Sequence, residues 1–123
     1  MSALELQNQT TEVLRRFNDA FRFHEPAALA GLIAEDCTLE NTQPAPNGSR
    51  HIGRDACLAV WQGLAGATET QFTLEDVFVA GERGVIRWRY RWGAGDADSI
   101  RGVNLMRVRG GQIVEALGYV KGA

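Results

Sequence analysis

The sequence predicts a single α+β domain. Three helices fill its N-terminal half, and a cone-shaped, curved sheet of mixed or antiparallel strands wraps around them. Three observations lead there. Apolar residues recur at helical spacing in the first half of the chain. From Thr70 onward the apolar residues alternate as in strands, and Gly-rich turns separate the runs. The length, 123 residues, is that of one domain, long enough to bury roughly two-thirds of its unfolded surface without metal or disulfide support.

The first helix is expected from the stripe Leu6, Thr10, Val13, Leu14, Phe17, Phe21 and His24, with Glu12, Arg15, Arg16, Asp19 and Arg22 on the opposite side. Ser2 and Glu5 have the spacing of a capping box, and His24 is expected to end the helix. Pro26 suits the first turn of a short second helix whose apolar face would be Leu29, Leu32 and Ile33. Thr38-Leu39-Glu40 reads as a short strand. Asn41 to Ser49, with two prolines and a glycine, reads as an irregular loop. A third helix should open near Gly53, turn Cys57, Val60, Trp61 and Leu64 inward, and stop at Gly66.

The remainder is expected to be a meander of four antiparallel strands. Phe72 to Val79 forms the first, with a slip of phase at Glu75-Asp76 that signals a bulge. In Val85 to Trp92, Ile86, Trp88, Tyr90 and Trp92 share one face and Val85, Arg87, Arg89 and Arg91 the other. Ile100 to Arg109 and Ile113 to Val120 follow, joined at Gly110-Gly111, a two-residue hairpin signal. No repeat or linker interrupts residues 1–123, so one domain is expected. A strongly twisted sheet curling around a long helix leaves a conical interior whose mouth suits a small molecule.

Composition narrows the function. The net charge of −2 argues against nucleic acid and anionic membrane as partners, and no apolar run is long enough to span a bilayer. Met1 to Leu6 has no basic run, so no leader is expected and the cytoplasm is the expected compartment. Cys37 and Cys57 form no Cys-x-x-Cys pair and are expected to be buried free thiols. The two histidines, His24 and His51, lie in no metal-binding spacing, so no metal site is expected. There is no Gly-x-Ser-x-Gly, no Gly-x-Gly-x-x-Gly and no phosphate-binding loop, so no cofactor is expected. His51, at the end of the irregular loop, is the candidate acid or base near neutral pH.

Leu14-Arg15-Arg16-Phe17-Asn18-Asp19-Ala20-Phe21, Leu32 to Asn41, Ile52-Gly53-Arg54-Asp55-Ala56 and Gly102 to Glu115 together resemble the nuclear transport factor 2-like superfamily, especially its SnoaL-like and ketosteroid-isomerase-like members. The resemblance covers nearly the whole chain and implies the cystatin-like α+β cone. It also implies a pocket. Matching the isomerase motifs puts Phe17 where those enzymes have a tyrosine, Asn41 where they have the aspartate base, and Asn104 where they have a protonated aspartate. Phe17 has no hydroxyl and Asn41 no proton-accepting carboxylate. Asn104 keeps N–H donors.

The expected function is therefore a pocket for a small apolar or carbonyl-containing molecule. It would serve either an isomerase-, cyclase- or hydrolase-like enzyme lacking the usual acids or a non-catalytic ligand-binding or dimerisation module. The expected catalytic residues are His51, Asn104 and Asn41, and the expected ligand-binding residues Phe17, Trp61, Trp88, Tyr90 and Met106. A homodimer through the outer sheet face is expected, with Arg87, Arg89 and Arg91 finding acidic partners there.

Overall fold

A computed structural model describes residues 1–122. Helix α1 runs Ala3–Arg22. A 3-10 helix, Pro26–Leu32, leads straight into strand β1, Ile33–Asn41. Strand β2 is Ser49–Ile52 and helix α2 is Arg54–Gly66. Strands β3 (Gln71–Ala80), β4 (Arg83–Arg91), β5 (Ser99–Arg109) and β6 (Gln112–Val120) complete the chain. They form one mixed, six-stranded sheet in the order β2-β1-β6-β5-β4-β3. Among the described residues, β1 and β6 alone pair in parallel.

Local chemistry accounts for most boundaries. The Ser2 hydroxyl accepts the Glu5 amide at 3.1 Å and caps α1. On the exposed side of α1, Arg15 hydrogen-bonds Glu12 and holds that carboxyl down at about 2. The β5–β6 hairpin turns on Gly110 and Gly111, both at positive φ (60° and 78°), where a Cβ would be strained. The pairing of β3 with β4 slips between Leu74 and Asp76, which is the expected bulge.

The structure revises other expectations. The first strand is nine residues, not three, and takes Ile33 from the short helix. The loop's last residues, with Ile52, form β2, which pairs antiparallel with β1. Helix α1 stops at Arg22. His24 lies beyond it at φ +53°, with Nδ1 3.0 Å from the Ala65 carbonyl and Nε2 3.0 Å from Gln71 Oε1. It thus links the link after α1 to α2 and β3 rather than ending a helix. Trp92 falls just past β4 and is half exposed.

The core lies between the inner sheet face and the helices. Val13, Leu14, Phe17 and Phe21 of α1 meet Ile86, Trp88, Met106 and Val108 of the sheet, with Cys57, Trp61 and Ala65 of α2 closing the side. Two anchors fix α1 at the β3–β4 turn. Leu14 packs against the bare Cα of Gly84. Thr10, completely buried, donates its hydroxyl hydrogen to the Gly81 carbonyl at 2.7 Å. Replacing Thr10 with valine keeps the shape and orphans that carbonyl, so unfolding in urea should show a loss of about 1 kcal/mol. An unchanged midpoint would mean that the contact contributes nothing.

Candidate functional site

Beyond Leu14 the inner sheet face is not fully covered, and a cavity of about 670 Å3 remains. That is within the roughly 300–1,000 Å3 usual for small-molecule sites. Its wall is a chain of aromatic contacts. Phe17 meets Trp61 and Phe21 edge-on, each at 5.0 Å between ring centroids. Phe21 meets Phe72 at 5.4 Å. Phe72 meets Trp88 at 5.4 Å and Tyr90 at 4.5 Å. These rings arrive from α1, α2, β3 and β4, so the wall is held by four elements and is well ordered by packing.

The polar end is built by the sheet. Asn104 of β5 lies opposite Ile86 on β4 and Gly118 on β6, on the inner face. Asn41 is the last residue of β1. Both line the cavity. The Trp88 indole Nε1 donates to Asn104 Oδ1 at 3.1 Å. The Thr42 backbone amide donates to Asn41 Oδ1 at 2.9 Å. Indole and backbone N–H groups only donate, so each contact fixes which end of the amide is oxygen. Gly102, opposite Trp88, makes room for the indole. A Cβ there would sit 2.5 Å from Trp88 Cζ2 and from the Tyr119 carbonyl oxygen. Sequence reasoning missed Phe72, Gly102 and Gly118 as site residues. Their roles come from partners on neighbouring strands and leave no local signal.

Phe17, Trp61, Trp88 and Tyr90 line the cavity with Asn41 and Asn104. His51 and Met106 do not. His51 lies on β2 opposite Leu39, its Nε2 3.1 Å from Ser49 Oγ. Strand alternation puts it on Leu39's side, but the cavity ends at β1. Met106 is 1% exposed and is core, because its neighbour across the sheet is Gly84, the position that Leu14 fills. The carboxylate at the rim is Asp19, bound to Arg15 at 2.9 Å; Glu40, between Leu39 and Asn41 on β1, alternates to the outer face and brings its backbone to the cavity. Among the described residues, no group of three or more His, Cys, Asp or Glu could hold a metal.

The cysteines are free and completely buried. Burial pushes both thiols up from their ordinary value, and the Cys57 thiol faces the carbonyls of Cys37 and His51.

The model of the SnoaL-like domain matches residues 14–116, so the chain belongs to the SnoaL-like domain family. No curated protein matches it. Among solved structures it is similar to an NTF2-like protein of unknown function from Mesorhizobium loti. The identity is 59% and the TM-score 0.87, over 94% of this chain and 93% of that one. It shares its fold with a protein provisionally named a ketosteroid isomerase from Kribbella flavida. That match has 22% identity and a TM-score of 0.78, over 95% and 81% of the two chains. It also shares it with an LEH-like epoxide hydrolase from M. tuberculosis. Here the identity is 13% and the TM-score 0.73, over 94% and 80%.

The thiolate is the reactive form. The native protein should therefore resist alkylation by iodoacetamide at about pH 8, and both cysteines should label quickly once it is denatured, as read by intact mass. Rapid labelling of the native protein would contradict the raised thiols.

Proposed function

We propose that this SnoaL-like chain is a small-molecule pocket protein that takes a flat apolar ligand and orients a carbonyl or hydroxyl group against Asn104 and Asn41. The observation that carries the reading is the meeting of those two amides in one aromatic-walled cavity. The rings supply area, and each ring stacked on a ligand adds specific geometry. The amides supply orientation.

Among the described residues, the polar end holds no imidazole and no carboxylate, since His51 lies elsewhere, Asp19 is at the rim and Glu40 alternates to the outer face. General acid–base catalysis contributes about 10²–10⁴ in rate where it operates. Without it, ligand binding is favoured over an isomerase-, cyclase- or hydrolase-like reaction. The two free, buried thiols suit a reducing compartment, and we place the protein in the cytoplasm. Among the described residues, no helix is long and apolar enough to cross a membrane.

Calorimetric titration with flat apolar ketones tests the pocket. The Asn41→Ala/Asn104→Ala double variant should bind about tenfold or more weakly, since each hydrogen bond contributes about 1 kcal/mol. Turnover of enone, epoxide or polyketide-like substrates should not exceed the buffer rate. Turnover that depends on Asn104 would make it an enzyme instead.

A second reading, a dimerisation role for the outer sheet face, rests on a row of apolar residues there. Phe78, Val85, Leu105 and Leu117 are successive partners across β3, β4, β5 and β6, and Phe78 is 62% exposed. A second copy would cover that row. The arginines contribute less than expected, because Arg89 and Arg91 already face Asp96 of the same chain at 3.1 and 4.0 Å. Sedimentation equilibrium at micromolar concentration should give a dimer, and Phe78→Glu a monomer. A monomeric parent protein would remove this reading.

A further inference from the structure

We propose a second binding site, on the outer face of the sheet: a cavity in which Arg87, Arg101 and Lys121 hold the phosphate group of a small phosphomonoester. It lies on the opposite side of the sheet from the aromatic cavity and does not depend on how that cavity is read.

The cavity measures about 450 Å3, and strand alternation assembles it. Ile86 and Trp88 point into the core, so Arg87 between them points outward. Arg87 lies opposite Val103 on β5, and Val103 lies opposite Tyr119 on β6. Arg101 shares Val103's face of β5. The chain just past β6 is tied to it, because the Lys121 amide donates to the Arg101 carbonyl at 2.8 Å. Glu75, the extra residue of the β3 bulge, lines the same cavity, and its Oε1 lies 3.1 Å from Arg101 Nε.

Three cations against one carboxylate leave this cavity with a charge of +2. The neighbouring arginines are already answered, Arg89 and Arg91 by Asp96. Among the described residues, neither Arg87 nor Lys121 has an ion pair, although Asp76 is Arg87's neighbour on β3. Glu75 takes the Nε side of Arg101, and among the described residues no ion pair uses its terminal NH2 groups. A guanidinium group meets phosphate oxygens two at a time. A phosphomonoester carries a charge of about −2 at neutral pH, whereas a carboxylate or a sulfate ester carries about −1. The cavity is larger than a bare phosphate needs, and Val103 and Tyr119 offer an apolar floor to the organic part. The cluster is also bounded. The apolar row of Phe78, Val85, Leu105 and Leu117 flanks it on one side, and Asp96 neutralises the arginines on the other. No cationic stripe continues it, which favours a small ligand over nucleic acid.

The test is an NMR titration of the isotope-labelled full chain with phenyl phosphate, phenyl sulfate and inorganic phosphate. The buffer is otherwise free of phosphate and holds about 0.1 M NaCl, which screens charges more than about 10 Å away. Phenyl phosphate should shift the amides of Gly102, Val103 and Lys121 saturably and leave those of Phe17 and Asn41 in place. Phenyl sulfate, with less charge, should bind about fivefold or more weakly, and inorganic phosphate, without the ring, about threefold or more weakly. Arg87→Gln/Arg101→Gln should weaken phenyl phosphate about tenfold or more. Arg107→Gln/Arg109→Gln, which removes the same charge toward the other end of β5, should bind like the parent. Arg87 and Arg101 are exposed, so their double variant should keep the parent's unfolding midpoint. Should it unfold, Lys121→Gln, beyond the last strand, repeats the test. If the two phenyl esters bind alike, or the Arg107/Arg109 pair loses as much as the cavity pair, the attraction is general and the site is refuted. No saturable shift up to about 10 mM phenyl phosphate refutes it as well, as do shifts at Phe17 and Asn41 in place of Gly102 and Val103. Displacement of phenyl phosphate by a single-stranded DNA oligonucleotide would refute the small ligand in favour of nucleic acid. Sedimentation separates the last rival: a parent dimer that Arg87→Gln/Arg101→Gln dissociates while phenyl phosphate binding persists would assign the arginines to a contact between copies.

Discussion

The fold turns on how little room the inner face of the sheet has. Three neighbouring strands each carry a glycine there, and two of these glycines receive a group that a side chain would exclude. Gly84 of β4 takes Leu14 and so fixes where α1 lies. Gly102 of β5 takes the Trp88 indole, which lies across the neighbouring strand. Gly118 of β6 faces Asn104. Glycine in a strand interior weakens the strand and usually marks a close approach. Here the close approaches decide the layout. The helix is drawn down at the β3–β4 turn, and the space left further along the face becomes the cavity.

Aromatic packing then keeps that space open and shaped. A cavity lined by small flexible side chains would collapse, because interiors pack to crystal-like density. The rings of Trp61, Phe17, Phe21, Phe72 and Trp88 instead support one another edge to face, and Tyr90 lies tilted against Phe72. Each ring belongs to a network that crosses α1, α2, β3 and β4, so moving one disturbs several contacts. The Trp88 indole serves both parts of the site. Its ring is wall, and its N–H sets the direction of the Asn104 amide.

How much of this the sequence disclosed depends on how local the cause is. The α1 stripe, the β4 alternation, the bulge at Glu75-Asp76 and the Gly110-Gly111 hairpin are all set by residues a few positions apart, and periodicity reads them. The start of β1 is different. Leu32, Ile33 and Ala34 form a short apolar run that suits a helix end or a strand equally, and pairing with β6 decides it. That parallel pairing joins distant segments and leaves no mark in either. Strand β2 was hidden because Ser49-Arg50-His51-Ile52 has little strand propensity beyond Ile52. Its missed register also misplaced His51, which shares a face with Leu39 and still stands outside the cavity. The six cavity-lining positions inferred from family resemblance and aromatic patterning came together because matching positions inherit a common backbone. The glycines did not stand out, because what each one admits sits on another strand.

The two asparagines stand where the resemblance aligns carboxylic acids, and the exchange has a physical consequence. Asparagine and aspartic acid have nearly the same shape, so the backbone and the Trp88 contact can persist through it. The hydrogen bonding does not persist. A carboxyl group donates only while it is protonated, which requires an environment that keeps its proton at working pH. An amide donates at every pH and never accepts a proton from a substrate. Asparagine therefore separates two roles that an acid combines, donating to a carbonyl and moving a proton, and its chemistry suits the first alone. A site of this kind loses the pH sensitivity that a carboxyl would give it. What shapes such a site is geometry: the amide direction set by Trp88 and the aromatic wall around it.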